Sequence, residues 1–252
     1  MGNEIINFNN IFGINEKSEN NINQIENTNM ISAKSNDINS LNDEDIFLIK
    51  GFRQHYLLNL TNLAGKNIIL LGDTKIGKTK IFNIIFENEH LNMNNDINNN
   101  KHNNSSQNYA YFEEKMFIID GLELNINIWD TPGEEKHKEA NKHFIKDCLI
   151  TYLCFHFKSP TSFENIKNYY IKIVKEINGK NSFIVLVGIK NEMFDDDNND
   201  NIPINVIKQF AENNNILFYS VCLNDCNSVR YLFNDSIKKY NLWQSKITFH
   251  KK

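Results

Sequence analysis

The chain has 252 residues, 40% of them hydrophobic, with a formal net charge of -4 and a pI near 6.0. This length and composition suffice for one sizeable core, whereas the weak acidic balance gives no field that would attract nucleic acid or an anionic membrane. The four cysteines show neither CxxC pairs nor Cys/His ligand spacing, which is typical of a reducing cytoplasm. No apolar stretch reaches the about 20 residues that a membrane-spanning helix needs. We therefore expect a cytoplasmic protein that is neither secreted nor transmembrane and does not bind nucleic acid.

Asparagine clusters in three segments, at residues 1–45, 92–104 and 195–201. Such polar tracts bury too little apolar surface to offset the entropy of ordering, so they predict a disordered N-terminal extension and two surface insertions. An apolar patch at 46–63 predicts an amphipathic helix that packs on the folded domain rather than on a membrane or a partner. The predicted organisation is an extension, a folded domain and a short tail, at 1–62, 63–245 and 246–252.

Strand and helix patterns alternate from residue 66 onward. Buried strands are predicted at 67–71, 124–129, 149–155, 183–187 and 216–221. The helices that follow them are predicted at 78–86, 134–146, 162–177, 205–212 and 228–239. Residues 115–119, followed by Asp120-Gly121, predict a hairpin with an antiparallel edge strand. The pattern indicates an α/β fold with a mostly parallel six-stranded sheet and helices on both faces, in which ligands bind beyond the carboxyl ends of the strands.

The strongest motif is GDTKIGKT, which fits GxxxxGK[ST] and directly follows an apolar strand. Its two glycines let backbone N–H groups surround phosphates, and the next helix adds N-terminal donors. Lys78 is expected to reach the β and γ phosphates, and Thr79 to bind Mg²⁺. A tight turn without a ligand is the weaker alternative, because strand and helix are both present. All eight residues are assigned to nucleotide binding: Gly72, Asp73, Thr74, Lys75, Ile76, Gly77, Lys78 and Thr79.

A second motif, DTPGEE, follows the strand predicted at 124–129. Asp130 at the strand end can hold Mg²⁺ through water. Gly133 offers a backbone N–H that can meet a γ-phosphate without a Cβ in the way. Alone, DTPG could be an ordinary acidic turn. Together with the first motif it indicates a site for a nucleoside triphosphate.

These residues resemble the Ras-like small GTPases, and the Rab branch most closely. The resemblance rests on GDTKIGKT, IDGLELNINIWDTPGEE and FIKDCLITYLCFHFKSPTSFENI, and it covers residues 64–240 without the insertions. It implies a P-loop GTPase fold, a GTP/GDP switch that uses Mg²⁺, and binding to effectors, exchange factors and GTPase-activating proteins. It also implies a monomer that regulates vesicle-mediated transport on endomembranes.

The residue after the glycine of DTPG departs from the family, which has a glutamine there that orients the attacking water. Here it is Glu134. A carboxylate accepts a hydrogen bond from water, but it adds negative charge beside the γ-phosphate and cannot donate. We therefore assign catalytic roles to Glu134 and Lys78 and expect slow hydrolysis. Pro132 replaces the usual alanine and stiffens this loop.

The guanine-reading motif NKxD corresponds to IKNE at residues 189–192. The resemblance implies that the stem of Lys190 lies along the base. It also implies that Glu192 accepts from the guanine N1–H and exocyclic amine, one methylene further out. Ile189 lacks the amide that braces this part of the site in the family. The alternative is that these residues are only a strand end and a loop.

The last family motif, SAK, aligns with Cys222-Leu223-Asn224. Cys222 and Leu223 are therefore assigned to the nucleotide site, where the backbone N–H of Leu223 would meet the base oxygen. With the changes in the NKxD motif, a weakened preference for guanine is expected.

The first switch segment contains the asparagine-rich insertion. Counting back from Asp120-Gly121 aligns Phe112 with the family's aromatic residue and Gln107 with its Mg²⁺-binding threonine. Ser105 or Ser106 could substitute for that threonine if the register slips. Without either serine, ordering of this segment by GTP is weakened.

Membrane attachment is expected to be weak and peripheral, since the chain ends without a cysteine for prenylation. Gly2 fits N-myristoylation only in part, because Ile6 stands where the motif has serine or threonine. One acyl chain alone binds membranes marginally.

Three functions compete for this sequence. The first is a GTP-binding switch with slow hydrolysis, supported by Lys78, Thr79, Asp130 and Gly133. The second is a non-catalytic pseudo-GTPase that serves as an interaction module, supported by Glu134 and Ile189. A P-loop ATPase or kinase is weaker, because no lid or second substrate site is evident.

Overall fold

The computed structural model describes residues 43–86, 110–134, 137–146, 148–179, 182–191 and 202–249. The predicted disorder of the extension and of the two insertions concerns segments that lie largely or wholly outside these residues. The described residues divide into two compact units, the smaller drawn from residues 43–62, 120–122 and 241–249 and the larger from residues 63–119 and 123–240.

The strands form one six-stranded sheet of order β2-β3-β1-β4-β5-β6. They are β1 (Asn67–Leu71), β2 (Tyr111–Ile119), β3 (Leu122–Asp130), β4 (Cys148–His156), β5 (Phe183–Lys190) and β6 (Leu217–Cys222). Strand β1 pairs in parallel with β3 and β4, and the pairs β4–β5 and β5–β6 are also parallel. Asp120 and Gly121 both have positive φ, 49° and 82°, as a two-residue hairpin turn between β2 and β3 requires. The predicted mostly parallel α/β fold is confirmed.

Seven α-helices are assigned within the described residues: α1 (Asp43–Thr61), α2 (Lys78–Phe86), α3 (Lys138–Ile145), α4 (Pro160–Asn165), α5 (Ile171–Asn178), α6 (Ile204–Asn213) and α7 (Cys226–Phe249). A π-helical turn, Ile166–Tyr170, joins α4 to α5. Helix α3 begins four residues later than predicted, after the Pro132-Gly133 pair. Helix α7 runs ten residues beyond its predicted end, because neither glycine nor proline interrupts the sequence up to Phe249.

The central strands are buried along almost their whole length, and every residue of β5 except the last is buried. Consecutive buried residues on a strand mean that both faces of the sheet are covered. One face packs Leu71, Leu153 and Leu186 against helical residues such as Phe163 and Ile207. This packing fixes the carboxyl ends of the strands, where the predicted site residues lie.

The smaller unit joins α1 to the end of α7 through polar side chains. The Tyr56 hydroxyl donates to the Asp120 carboxylate at 2.6 Å, and the Asn241 side chain donates to the Tyr56 carbonyl at 3.0 Å. His55 Nε2 lies 2.7 Å from Thr248 Oγ1. Burial and the bond to Asp120 raise the pKa of Tyr56. The helix predicted at 46–63 is thus present as α1, and the predicted tail at 246–252 is helical as far as Phe249.

Candidate functional site

The loop between β1 and α2 needs glycine at two positions. Gly72 and Gly77 have φ of 146° and 110°, a region that side chains rarely adopt. A Cβ on Gly72 would lie 2.2 Å from the Cys154 carbonyl oxygen, and a Cβ on Gly77 would lie 3.0 Å from Leu223 Cδ1. Lys75 is also left-handed, with φ of 61°. The loop therefore has the tight, backbone-lined shape that phosphate binding requires.

Lys78 lies across this loop. Its Nζ donates to the carbonyl oxygens of Gly72 at 2.8 Å and Asp73 at 2.6 Å, and the residue is only 5% exposed. Burial lowers the pKa of Lys78, and the negative charge of Asp130 opposes that shift. A buried ammonium is costly unless anionic groups approach it. The arriving phosphates of a nucleotide would provide that charge.

Thr79 and Asp130 come from different parts of the chain and meet beside Lys78. The Thr79 hydroxyl donates to Asp130 Oδ2 at 2.6 Å, and Asp130 is 1% exposed. Burial raises the pKa of Asp130, while the bond from Thr79 and the charge of Lys78 lower it. Its other oxygen, Oδ1, is buried without a hydrogen-bond partner. An unsatisfied carboxylate oxygen next to a threonine hydroxyl fits the oxygen ligands that Mg²⁺ prefers.

The loop after β3 lies directly against the phosphate loop. A Cβ on Gly133 would lie 2.2 Å from the carbonyl carbon of Asp73 and 2.3 Å from the Thr74 nitrogen, so only glycine fits. The Thr131 hydroxyl donates to the Leu70 carbonyl at 2.6 Å, which ties this loop to β1. Gly133 is therefore held directly against the phosphate loop.

Asn141 on α3 also holds this loop, and the sequence analysis missed it. Its side-chain amide donates to the Pro132 carbonyl at 2.8 Å, and the residue is 5% exposed. The Pro132 carbonyl and the Gly133 N–H belong to one planar trans peptide and point in opposite directions. By holding the carbonyl, Asn141 fixes the direction of that N–H. The available signal was its position four residues before buried Ile145, on the same helix face.

Glu134 is half-buried and follows this loop directly. Its backbone carbonyl accepts from the His137 N–H at 3.0 Å, just before α3 begins. The catalytic role assigned to its side chain remains a prediction. The next residue, Glu135, lies outside the described part of the chain.

The Asp73 carboxylate binds protein groups. Asn165 Nδ2 donates to it at 2.7 Å, and the Tyr170 hydroxyl donates at 3.2 Å. Both donors lie at the π-helical turn, a distortion that often accompanies functional sites. Lys138 Nζ, from α3, lies 4.5 Å from the centre of the neighbouring Tyr169 ring. The π-helical turn thus contacts both the phosphate loop and α3, and sequence patterns gave no sign of it.

The residues predicted to read the base lie at the ends of β5 and β6. Lys190 and Cys222 pair in register, and the Leu223 N–H donates to the Lys190 carbonyl at 2.9 Å. Ile189 is fully buried, with Cγ2 3.3 Å from the position of a Cβ on Gly77. The structure therefore places Leu223 beside the phosphate loop and Lys190 and Cys222 at the adjoining strand ends, and Glu192 lies outside the described residues.

Three aromatic rings form a row beside the site. Phe112 stacks on Trp129 with ring centres 4.5 Å apart, and Trp129 lies 4.9 Å from Phe144. Phe112 is 48% exposed. Phe144 belongs to α3, so the row joins β2, β3 and the helix that follows the DTPG loop.

A mostly parallel sheet with a GxxxxGKT loop at one strand end and a DxxG loop at the next defines a P-loop nucleotide-binding protein. Residues 67–242 match the model of the Ras family. The chain belongs to the Ras family, and the predicted resemblance to small GTPases of the Rab branch is confirmed.

Several relatives are Rab proteins. A probable Rab-related GTPase of Acanthamoeba polyphaga mimivirus is 28% identical over 176 residues, which cover 69% of this chain and 76% of the relative. Ras-related protein Rab-21 of Homo sapiens is 26% identical over 172 residues, 68% of this chain and 70% of the relative. Ras-related protein Rab11A of Lotus japonicus is 22% identical over 180 residues, 71% of this chain and 74% of the relative. In the part of the chain that the structure describes, no helix combines the length and apolarity needed to span a membrane.

Proposed function

We propose that this protein is a Rab-like GTP-binding switch with slow intrinsic hydrolysis that regulates vesicle-mediated transport. The observation that carries the proposal is the meeting of Lys78, Thr79 and Asp130 at the mouth of the loop formed by residues 72–77. Two buried groups of opposite charge and one unsatisfied oxygen are costly there without a ligand. Magnesium nucleotide would satisfy all of them.

Phosphate binding uses groups that are already in position. Lys78 contributes its charge to the β and γ phosphates, and the N-terminus of α2 contributes backbone donors. Thr79 would hold Mg²⁺ directly and Asp130 would hold it through water. When bound, the ion neutralises charge that develops on the phosphates.

The γ-phosphate distinguishes the two states of the switch through the Gly133 N–H. Asn141 holds the adjoining carbonyl and belongs to α3. A change at Gly133 therefore reaches α3 through one hydrogen bond. The Phe144 ring lies on the same helix and ends the aromatic row.

We propose that this row of Phe112, Trp129 and Phe144 is where effector proteins bind. An exposed ring, Phe112, stacked on two half-buried rings next to α3 suits a partner that reads the state of the switch. Exchange factors and GTPase-activating proteins are the other expected partners. The protein would act as a cytoplasmic monomer with weak peripheral attachment to endomembranes.

Hydrolysis is slow in this proposal because Glu134 can accept from the attacking water but cannot donate to developing charge. The second candidate, a pseudo-GTPase, is favoured by the hydrocarbon side chain of Ile189 at the base end of the site. The two candidates differ in whether nucleotide binds at all.

Calorimetric titration with GDP and a non-hydrolysable GTP analogue tests the proposal. Wild-type protein is expected to bind both in the presence of Mg²⁺. Lys78→Ala is expected to lose at least about a hundredfold in affinity, because a charge-assisted contact to the phosphates is removed. Lys80→Ala is the matched control, since Lys80 is exposed two residues further along the same helix. Folded wild-type protein that binds neither nucleotide would overturn the switch and favour the pseudo-GTPase.

A further inference from the structure

Asp73 places a negative charge in the loop that is proposed to bind phosphates. The main chain and the side chain of this residue have different partners. Its carbonyl oxygen accepts from Lys78 Nζ at 2.6 Å, within the loop. Its carboxylate instead accepts from Asn165 Nδ2 at 2.7 Å and from the Tyr170 hydroxyl at 3.2 Å, both outside the loop. Two hydrogen bonds therefore hold the charged group on the side of the loop that faces the helices.

The π-helical turn brings these two donors to one carboxylate. Asn165 is the last residue of α4, and Tyr170 is the last residue of the turn. Residues five apart lie about 140° apart around a regular α-helix, so their side chains would diverge. The wider turn, in which the Ile171 N–H donates to the Ile166 carbonyl, brings such residues towards one side. The Tyr170 ring is 3% exposed and packs in the hydrophobic core, which fixes its hydroxyl.

A carboxylate free to turn within this loop would repel bound phosphates, because like charges at close range destabilise each other. The Asp73 carbonyl carbon lies 2.2 Å from the point that a Cβ on Gly133 would occupy, and Gly133 is proposed to meet the γ-phosphate. We infer that Asn165 and Tyr170 are positioning residues that hold the Asp73 carboxylate away from the nucleotide and thereby set its affinity. The inference rests on the proposed nucleotide binding. A triphosphate should be affected more than a diphosphate, since it carries one more phosphate near Gly133.

Calorimetric titration of the full chain with GDP and a non-hydrolysable GTP analogue, both with Mg²⁺, tests the inference. Asn165→Ala is expected to lower affinity about tenfold for the GTP analogue and about threefold for GDP. Asn168→Ala is the matched control, because Asn168 is an exposed residue of the same type on the same turn, and it should leave both affinities unchanged. Unchanged affinities in Asn165→Ala would overturn the inference and leave the proposed function intact. Wild-type protein that binds neither nucleotide would overturn the proposed function, and the inference with it.

Removing the charge itself separates repulsion from an effect on the shape of the loop. Asp73→Asn added to Asn165→Ala is expected to restore affinity to within about threefold of wild type, since no carboxylate remains to repel the phosphates. A double variant as weak as Asn165→Ala, with both shown to be folded by thermal melting, would mean that Asn165 only supports the loop, and would overturn the inference. Should Asn165→Ala fail to fold, Tyr170→Phe allows the same comparison, because it removes a hydroxyl and keeps the buried ring. Its expected loss for the GTP analogue is about threefold, again recovered by Asp73→Asn, and a loss that persists in that double variant would equally overturn the inference.

Discussion

The phosphate end and the base end of this site are built from opposite kinds of chemistry. Around Lys78 and Asp130 the structure buries charge and leaves one carboxylate oxygen without a partner. Around Ile189 and Leu223 it buries hydrocarbon, and the Leu223 N–H is bonded to the Lys190 carbonyl within the protein. Buried charge is unfavourable without a counter-charge, whereas buried hydrocarbon is favourable by itself. The phosphate end therefore carries evidence for a ligand, and the base end is stable without one.

The comparison also separates two kinds of site residue. At the phosphate end, each main group acts through a direct contact that a substitution can remove. At the base end, Ile189 and Leu223 are buried in the hydrophobic core of the larger unit. Substitutions at the phosphate end should therefore change ligand affinity. Substitutions at the base end should change at most the stability of the fold.

The largest effect is expected from Gly133→Ala. The added Cβ would lie 2.2 Å from the Asp73 backbone, so the DTPG loop has to retreat from the phosphate loop. Affinity for a GTP analogue should fall at least about a hundredfold, or about 2.7 kcal/mol, while affinity for GDP falls much less. Titration calorimetry measures both. Gly179→Ala is the control for lost stability alone, because its φ of 74° disfavours a side chain while a Cβ there would meet nothing within 4 Å. An equal loss for both nucleotides would show that Gly133 does not sense the γ-phosphate.

Asn141→Ala tests the link between that loop and α3. Without the amide, the Pro132 carbonyl loses its partner and the Gly133 N–H loses its fixed direction. The ratio of GTP-analogue to GDP affinity should fall about tenfold, equal to about 1.4 kcal/mol. His143→Ala changes an exposed residue on the same helix and should leave the ratio unchanged. A fall in melting temperature with an unaltered ratio would assign Asn141 a purely structural role.

Glu134→Gln should raise the single-turnover rate of GTP cleavage. A glutamine both accepts from the attacking water and donates to developing charge, whereas the carboxylate only accepts. The expected gain is on the order of tenfold, or about 1.4 kcal/mol of barrier, because the first switch segment also departs from the family. Glu139→Gln removes the same charge at an exposed position nearby and should have no effect. An unchanged or lower rate would show that Glu134 is not the limiting residue.

The sequence predicted local structure better than contacts between distant residues. Strand β1 and helix α2 have the predicted bounds, because an apolar strand, a glycine loop and an amphipathic helix follow one another directly. Asn141 was missed because the sequence shows a polar residue on a buried helix face but does not show which group it binds. That group, the Pro132 carbonyl, becomes evident only in the folded structure. The contact of Ile189 with the phosphate loop and the π-helical turn beside Asp73 likewise depend on packing between distant segments.

The smallest effect is expected from Cys222→Ser at the base end. Cys222 is buried, with Sγ 3.5 Å from the Asn191 carbonyl oxygen, and a hydroxyl can make the same contact with little change in shape. Because the substitution keeps this contact, affinity for GDP should change by less than about twofold, which corresponds to under about 0.5 kcal/mol. The ratio of GDP to ADP affinity should stay the same. Competition with fluorescent GDP measures both quantities, with wild-type protein as the reference. A selective gain for GDP would show that the hydroxyl or the adjoining Leu223 N–H reaches the base, and the contrast between the two ends of the site would no longer hold.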